Sequence, residues 1–439
     1  MLTKDKNDLI CETGPGTPMG NLFRCYWVPA LLAEELPEAD CPPVRVKLMS
    51  EHLVGFRDSE GKLGLIDEFC AHRCVSLWFG RTEDNGLRCP YHGWKYDITG
   101  QCVDVPSESP EYAKNIKLKS YPLVEKGGIL WTYMGDPKKQ PPLPEYEFCN
   151  LSAGQRFVSK RLQESNWLQG LEGGIDSSHV SFLHSSNLES DPLFKGTKGN
   201  EYNLSDLKPV FEVEDYDGGL IIGARRNAED DQYYWRITPW LMPCFTMVPP
   251  RGDYPVHGHF WVPIDDENCW AWSFDYKPNR DLTEKERWSM EQGKGIHCEY
   301  TPGTYIPKAN MANDYLMDRE AQKTGSTYSG VEGIAIQDSS LQESMAGIDP
   351  KTGERVSWGG TCDRTKEMLA PTDRGIMLSR RKIFDAIDAL EKKGEIPQGV
   401  NPESHMVRSV SILLPREEAF KDGAKEALRV KEGEPHASV

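Results

Sequence analysis

The chain has 439 residues, 38% of them apolar, with 51 Lys+Arg against 68 Asp+Glu and a net charge of −17. That length exceeds what one hydrophobic core usually organises, so two domains are expected. The acidic balance argues against nucleic acid or an anionic membrane surface as partner, because both reward basic patches.

The N-terminal stretch MLTKDKNDLI carries acids and lacks an apolar core of signal length. No apolar run of roughly 18 residues follows, so the expectation is a cytoplasmic protein with no membrane span. The 12 cysteines are scattered irregularly, which points to free thiols in reducing surroundings rather than a disulfide scaffold. With 12 Trp, 17 Tyr and 14 Phe, the chain has the means for large buried surfaces or an aromatic-lined pocket.

Taken in chain order, GPGTPMGNLFRCYWVPALLAEEL predicts a Gly/Pro turn cluster and then an apolar stretch that packs as a short helix. From Val44 to about Val124, short alternating runs are punctuated by Gly, Asp-Ser and Asn-Gly. VRVKLMSEHLVGFRDSEGKLGLI reads as a series of hairpins, and WKYDITGQCVDV and GILWTYMGD as further strands. The Pro-rich, charged PKKQPPLPEYEF at 137–148 is the best boundary. It separates a first domain, 1–145, from a second, 146–439.

Beyond the boundary, NWLQGLEGGIDSSHVSFLHS has helical apolar spacing interrupted at Gly173-Gly174. GGLIIGARRNAE, QYYWRITPWLMPCFTMVPP, VHGHFWVPI and CWAWSFDY predict a larger antiparallel sheet. GVEGIAIQDSSLQESMAGI and the amphipathic RGIMLSRRKIFDAIDALEKK predict helices, and KEGEPHASV a disordered tail. The class is α+β.

Within the first domain, Cys70-x-His72 and Cys89-x-x-His92 form two matched short pairs. A Cys2His2 set could hold zinc, but zinc pairs usually come as two cysteines and two histidines, each pair closing on one ion. Here each pair mixes a thiolate with an imidazole. A two-iron centre explains the mixture: two thiolates on one iron, two imidazoles on the other. Zinc is the weaker alternative.

CAHR…CPYHGW resembles the Rieske motif of ring-hydroxylating oxygenases. Respiratory Rieske proteins add a disulfide-forming cysteine to each loop; here Val75 and Tyr91 occupy those places, so no bridge is expected. Members of the resembled family more often carry glycine where this chain has Cys74, which is expected to fill a small apolar space. The resemblance spans nearly the whole chain and is strongest to the phthalate dioxygenase group. It implies a small antiparallel β Rieske domain and a larger catalytic domain of helix-grip (START-like) type.

Downstream, Asp176, His179 and His184 form a second candidate site. On a regular helix the two histidines would diverge by roughly 140°. Joint coordination therefore predicts a π-bulge or broken turn between them. The resemblance supplies the third Fe(II) ligand from a C-terminal helix, where Asp338 precedes Glu343; Asp314 and Asp318 are competitors. It also gives Asp176 a different role, hydrogen-bonding a ligand histidine and a cluster histidine of the neighbouring subunit. A homotrimer or stacked trimers (a hexamer) follow from that role. His257-x-His259 looks metal-like on a strand, but without a third ligand nearby it reads as two satisfied strand histidines.

The resembled group acts on aromatic carboxylates, and arginine is the donor suited to hold one in an apolar cavity. The candidates are Arg225, Arg226 and Arg236. No nucleotide fingerprint in a strand–helix setting occurs, so a separate flavin/iron–sulfur reductase is expected to pass electrons from NAD(P)H. They would travel through His72 or His92 and Asp176 to Fe(II). With O2, the outcome would be cis-dihydroxylation of a phthalate-, isophthalate- or benzoate-like ring. The alternatives are an O-demethylating or ether-cleaving monooxygenase and, more weakly, a non-catalytic electron carrier.

Overall fold

In the computed structural model the described residues are 1–190, 196–348, 352, 354–356 and 359–439. They form two compact units, Thr13–Pro141 and Met1–Glu12 with Pro142–Val439. The first twelve residues, which the sequence reading gave to the first domain, thus belong to the larger unit. The reason is specific bonding: Asn166 Nδ2 donates to Cys11 O at 2.9 Å, and Asn7 Nδ2 to Cys362 O at 3.1 Å.

The smaller unit is built from antiparallel strands. Trp27–Leu32 pairs with Ile129–Tyr133, so the apolar stretch expected as helix is a strand; the helix is shorter and earlier, Pro18–Phe23. Val44–Leu48, Glu51–Arg57 and Leu63–Asp67 form the expected hairpin series. A second four-stranded sheet runs Arg81–Glu83, Gly86–Arg88, Lys95–Tyr96 and Cys102–Asp104. Val54, Phe56 and Ile66 of the hairpin series and Leu77, Leu87 and Tyr96 beside them share one core, which also takes in Cys70 and Cys89.

The larger unit is organised by one antiparallel sheet. Its order is Arg156–Gln163, Cys269–Tyr276, Val256–Pro263, Phe245–Val248, Gln232–Leu241, Gly219–Asn227 and Val210–Tyr216, with Val410–Pro415 also pairing to Gln232–Leu241. Trp235, Trp240 and Trp272 are among its largest fully buried side chains, and aromatic burial on this scale dominates core energetics. The 20-residue helix Arg374–Lys393 packs on the two outer strands Val210–Tyr216 and Gly219–Asn227, the helix-grip arrangement. Helix Trp167–Ile175 lies on Phe245–Val248 and Val256–Pro263, and helix Ile334–Glu343 packs against it.

The helix at 167–175 runs through Gly173-Gly174 rather than breaking there. A Cβ on Gly174 would come within 2.3 Å of the Trp261 ring, and one on Gly173 within 2.2 Å of the Gln342 amide. These glycines permit close approach to a sheet and a second helix. The tail is docked as well: His436 is buried and its ring meets Ser409 O, Glu147 and Tyr276. None of the 12 cysteines is in a disulfide. No helix among the described residues is long and apolar enough to cross a membrane.

Candidate metal centres

Two loops of the smaller unit repeat one backbone pattern. Cys70 N bonds Val75 O at 2.9 Å and Cys74 N bonds Cys70 O at 2.9 Å; Cys89 N bonds Trp94 O at 2.8 Å and Gly93 N bonds Cys89 O at 3.0 Å. In each, the fourth residue after the cysteine is left-handed, with φ 54 at Cys74 and φ 77 at Gly93. Cys74 therefore occupies the turn position that favours glycine. Its side chain is exposed rather than filling an apolar space, because the turn directs it outward.

The turns bury Cys70 and Cys89 and leave His72 and His92 exposed, with ring centroids 4.3 Å apart. Trp94 stacks on His72 at 4.6 Å. Burial, with a contribution from the nearby Cys70 thiol, pushes the Cys89 thiol up. Two adjacent buried sulfurs beside two exposed imidazoles are soft donors placed for metal, so the donor set fits an iron–sulfur centre. Tyr96, which sequence reasoning did not single out, places its hydroxyl 3.2 Å from Cys70 Sγ, where it can donate to a thiolate. Such bonds tune cluster potential.

In the larger unit, helix Trp167–Ile175 is capped at its start by Asn166, whose side chain accepts from Leu168 N. It ends at Asp176, with extended backbone (ψ 117). The Asp176 carboxylate then starts a new 3-10 turn, His179–Ser181, accepting from Ser178 N at 2.7 Å and His179 N at 3.3 Å. From His179 to His184 the backbone is this short 3-10 turn followed by an irregular turn, not a regular helix, as convergence of the two histidines requires. His184 follows, just before helix Ser185–Ser190.

His179, His184 and Asp338 come together: their candidate ligand atoms all lie within 4.8 Å of one another. Asp338 Oδ1 is 3.6 Å from His179 Nε2 and 3.3 Å from His184 Nε2. Burial alone would raise the Asp338 carboxyl, but His184 and then His179 overcome it and hold it at about 2. Asp314 and Asp318 are exposed; Asp318 instead caps helix Arg319–Thr324.

Both rings are oriented from behind. Asp176 Oδ2 accepts from His179 Nδ1 at 3.1 Å, leaving the Nε2 lone pair toward Asp338. Gln337 does the same for His184, its Oε1 lying 2.7 Å from Nδ1. Its amide nitrogen is committed to Asn187 Oδ1 and Val331 O, both at 2.9 Å, so the oxygen must face the histidine. Two imidazoles, each aimed by a partner, and one carboxylate fit a ferrous ion with open positions.

The cavity at this triad has a volume of about 60 Å³. Arg161, Arg236, His257 and His259 line it together with the triad. His257 and His259 thus line the cavity, yet each ring has its own partner, Pro255 O at 3.5 Å and Ser273 Oγ at 3.1 Å, as satisfied strand histidines do. Strand alternation put both on one side, and the nearby ligands come from other elements. Burial pushes the His257 imidazole down to about 4 and that of His259 well below its usual range.

Arg236 is buried; Nε donates to Ser177 Oγ at 3.2 Å, and Nη1 has no hydrogen-bond partner among the described residues. Arg161, missed in the sequence, meets the hydroxyls of Ser339 and Ser273, both at 3.3 Å. Arg226 is buried but bonds Asp206 O and Ser177 O, while Arg225 pairs with Glu212 and stacks over Tyr233. Neither lines the cavity.

Residues 26–122 match the family described as Rieske [2Fe–2S] domain, and residues 132–429 the LigXa C-terminal domain like family. The chain is 38% identical over 417 residues to the 3-chlorobenzoate-3,4-dioxygenase oxygenase subunit of Comamonas testosteroni, covering 91% of this chain and 92% of the relative. It is 35% identical to the phthalate 4,5-dioxygenase oxygenase subunit of Pseudomonas putida, covering 89% and 87%. Its fold is similar to the terminal oxygenase of carbazole 1,9a-dioxygenase from Novosphingobium sp. KA1, with a TM-score of 0.53, 20% identity, and 86% and 97% covered. With its two-loop motif, its downstream His179–His184–Asp338 group and these alignments, the chain belongs to the Rieske non-haem iron oxygenases, as an oxygenase component.

Proposed function

We propose that this oxygenase dihydroxylates an aromatic carboxylate, with Arg236 holding the carboxylate. The observation that carries the reading is a buried guanidinium in the cavity of the iron triad, with one nitrogen unpartnered among the described residues. A buried cation left short of partners is costly and is satisfied by a planar anion that accepts two bonds. Arg161 supplies a second cation on the same lining. The names of the two relatives, acting on chlorobenzoate and phthalate, support the same class.

In this reading Cys70, Cys89, His72 and His92 hold the cluster, and His179, His184 and Asp338 the mononuclear iron. When bound, these groups supply single-electron delivery and O2 activation. The chain's own residues set the geometry: Asp176 and Gln337 keep a proton on each Nδ1, so each Nε2 stays a lone-pair donor. The half-buried Asp176 carboxylate is free to take a second histidine from a neighbouring subunit, and a trimer or stacked trimers provide one. Electrons come from NAD(P)H through a separate flavin/iron–sulfur reductase.

Reconstitution with such a reductase, isotope-labelled O2 and a panel of mono- and dicarboxylated aromatic acids tests this. The expected product is a cis-dihydrodiol carrying two labels. Arg236→Met should raise KM by about 30-fold or more, the cost of removing a buried charged partner. A single label with a released aldehyde would replace the reading by an O-demethylating monooxygenase. Turnover of no aromatic acid would sink it.

A further inference from the structure

The iron cavity is too small for its substrate as it stands. Its volume of about 60 Å³ falls well short of the roughly 300–1,000 Å³ of pockets that hold ligands. A second cavity of about 640 Å³ adjoins it in the larger unit. Ile334 lines both, and Ile296, on the iron side, directly follows Gly295, on the other.

We propose that the larger cavity is the passage by which the aromatic acid reaches the iron, and that Ile334 and Ile296 form the constriction between them; this rests on the function proposed above. The walls suit a ring, with Trp288, Leu316, Tyr315 and Ile336 among them. The charged lining suits an anion. Lys294 pairs with Glu332 at 3.4 Å and Lys308 with Glu299 at 3.1 Å, and Lys285 is a third cation against those two acids. On a chain of net charge −17 this is a local reversal of sign, which raises the local concentration of an acid at the mouth.

Both constricting side chains follow left-handed glycines, Gly333 at φ 87 and Gly295 at φ 67. A Cβ on Gly333 would touch nothing within 4 Å, so glycine is there for the backbone and not for space. Each isoleucine is thus hung from a residue able to absorb a change in φ and ψ, as a widening constriction requires. Asn187 also lines the passage and accepts the Gln337 bond that fixes His184, so an arriving ring passes beside the network that aims an iron ligand.

The test uses the metal-loaded oxygenase with its reductase, and 3-chlorobenzoate and phthalate as probes. Ile334→Trp should lower kcat/KM and the association rate at least tenfold, with iron content and cluster absorption unchanged. Ile334→Ala should raise kcat/KM for a two-ring acid such as biphenyl-4-carboxylate at least tenfold over the wild-type chain. Lys285→Glu should slow association two- to fivefold at low ionic strength and not at high salt. Wild-type kcat/KM in a fully loaded Ile334→Trp chain overturns the passage and leaves the proposed function standing. If Ile334→Trp loses iron, Ile334→Ala decides, and unchanged ring selectivity overturns the passage. A wild-type chain that binds neither probe overturns both readings.

Discussion

In the smaller unit all four candidate ligands lie between Cys70 and His92, on two turns with the same hydrogen-bond pattern. In the larger unit the candidate ligands are His179, His184 and Asp338, drawn from the turns after helix Trp167–Ile175 and from a separate helix far along the chain. The first centre is set by local backbone: a cysteine, a left-handed fourth residue and a closing bond. The second is set by packing, because glycines let helix Trp167–Ile175 lie against Trp261 and Gln342 and so bring Asp338 to the histidines. A metal site made of turns is robust to distant change. One made by helix contact inherits every error in that contact.

The contrast is sharpest at Asp176, which serves as turn cap and ring holder together. Asp176→Asn keeps the size but can donate as well as accept, so it no longer enforces the His179 tautomer. Turnover should fall beyond about 100-fold with both metals still bound, checked by iron analysis and cluster absorption. Undiminished turnover would mean that local capping is all this residue does.

The packed helix also carries Glu343, whose carboxyl burial pushes up to about 7 despite donors from Tyr315 and Glu164 N. A folded value above the unfolded one means that the native state holds the extra proton. The associated stability is present below about pH 4.5 and is lost as pH rises through about 7. Glu343→Gln should remove about 3 kcal/mol of pH dependence between pH 5 and 8, read from the unfolding of the larger unit. A slope unchanged by the substitution would refute this account.

The smallest of the three effects is expected at Gln337. Gln337→Leu leaves the His184 ring without its acceptor and should weaken iron binding at the triad by about 10–100-fold, with cluster content unaffected. Equal loss at both centres would erase the distinction between them.

The same difference explains what could be read in advance. Cys70, His72, Cys89 and His92 announce themselves in a single window because the chemistry needs fixed spacing. The strands from Val210 to Tyr276 were legible from alternation, and the irregular backbone between His179 and His184 from the mismatch between histidine spacing and helical pitch. Gln337 and Arg161 were not legible. Each is one polar residue in an ordinary helix or strand, and its role exists only once elements distant in sequence meet. His257-x-His259 reads as two satisfied strand histidines, and both rings are hydrogen-bonded outside the ligand triad; that they also line its cavity could not be seen from their spacing. The tail KEGEPHASV reads as polar and loose, yet His436 finds Glu147 and Tyr276, partners that composition could not reveal.

Because helix Lys4–Cys11 belongs with the larger unit while Thr13–Pro141 does not, the smaller unit is a guest inserted into its host's chain. The chain enters it after Glu12 and leaves it before Pro142. A protease that nicked the Pro-rich stretch near Pro141 would not set it adrift. The severed N-terminal fragment would stay anchored through Asn7 and Cys11, gripped by Cys362 and Asn166, and the nicked protein would co-purify as a single particle.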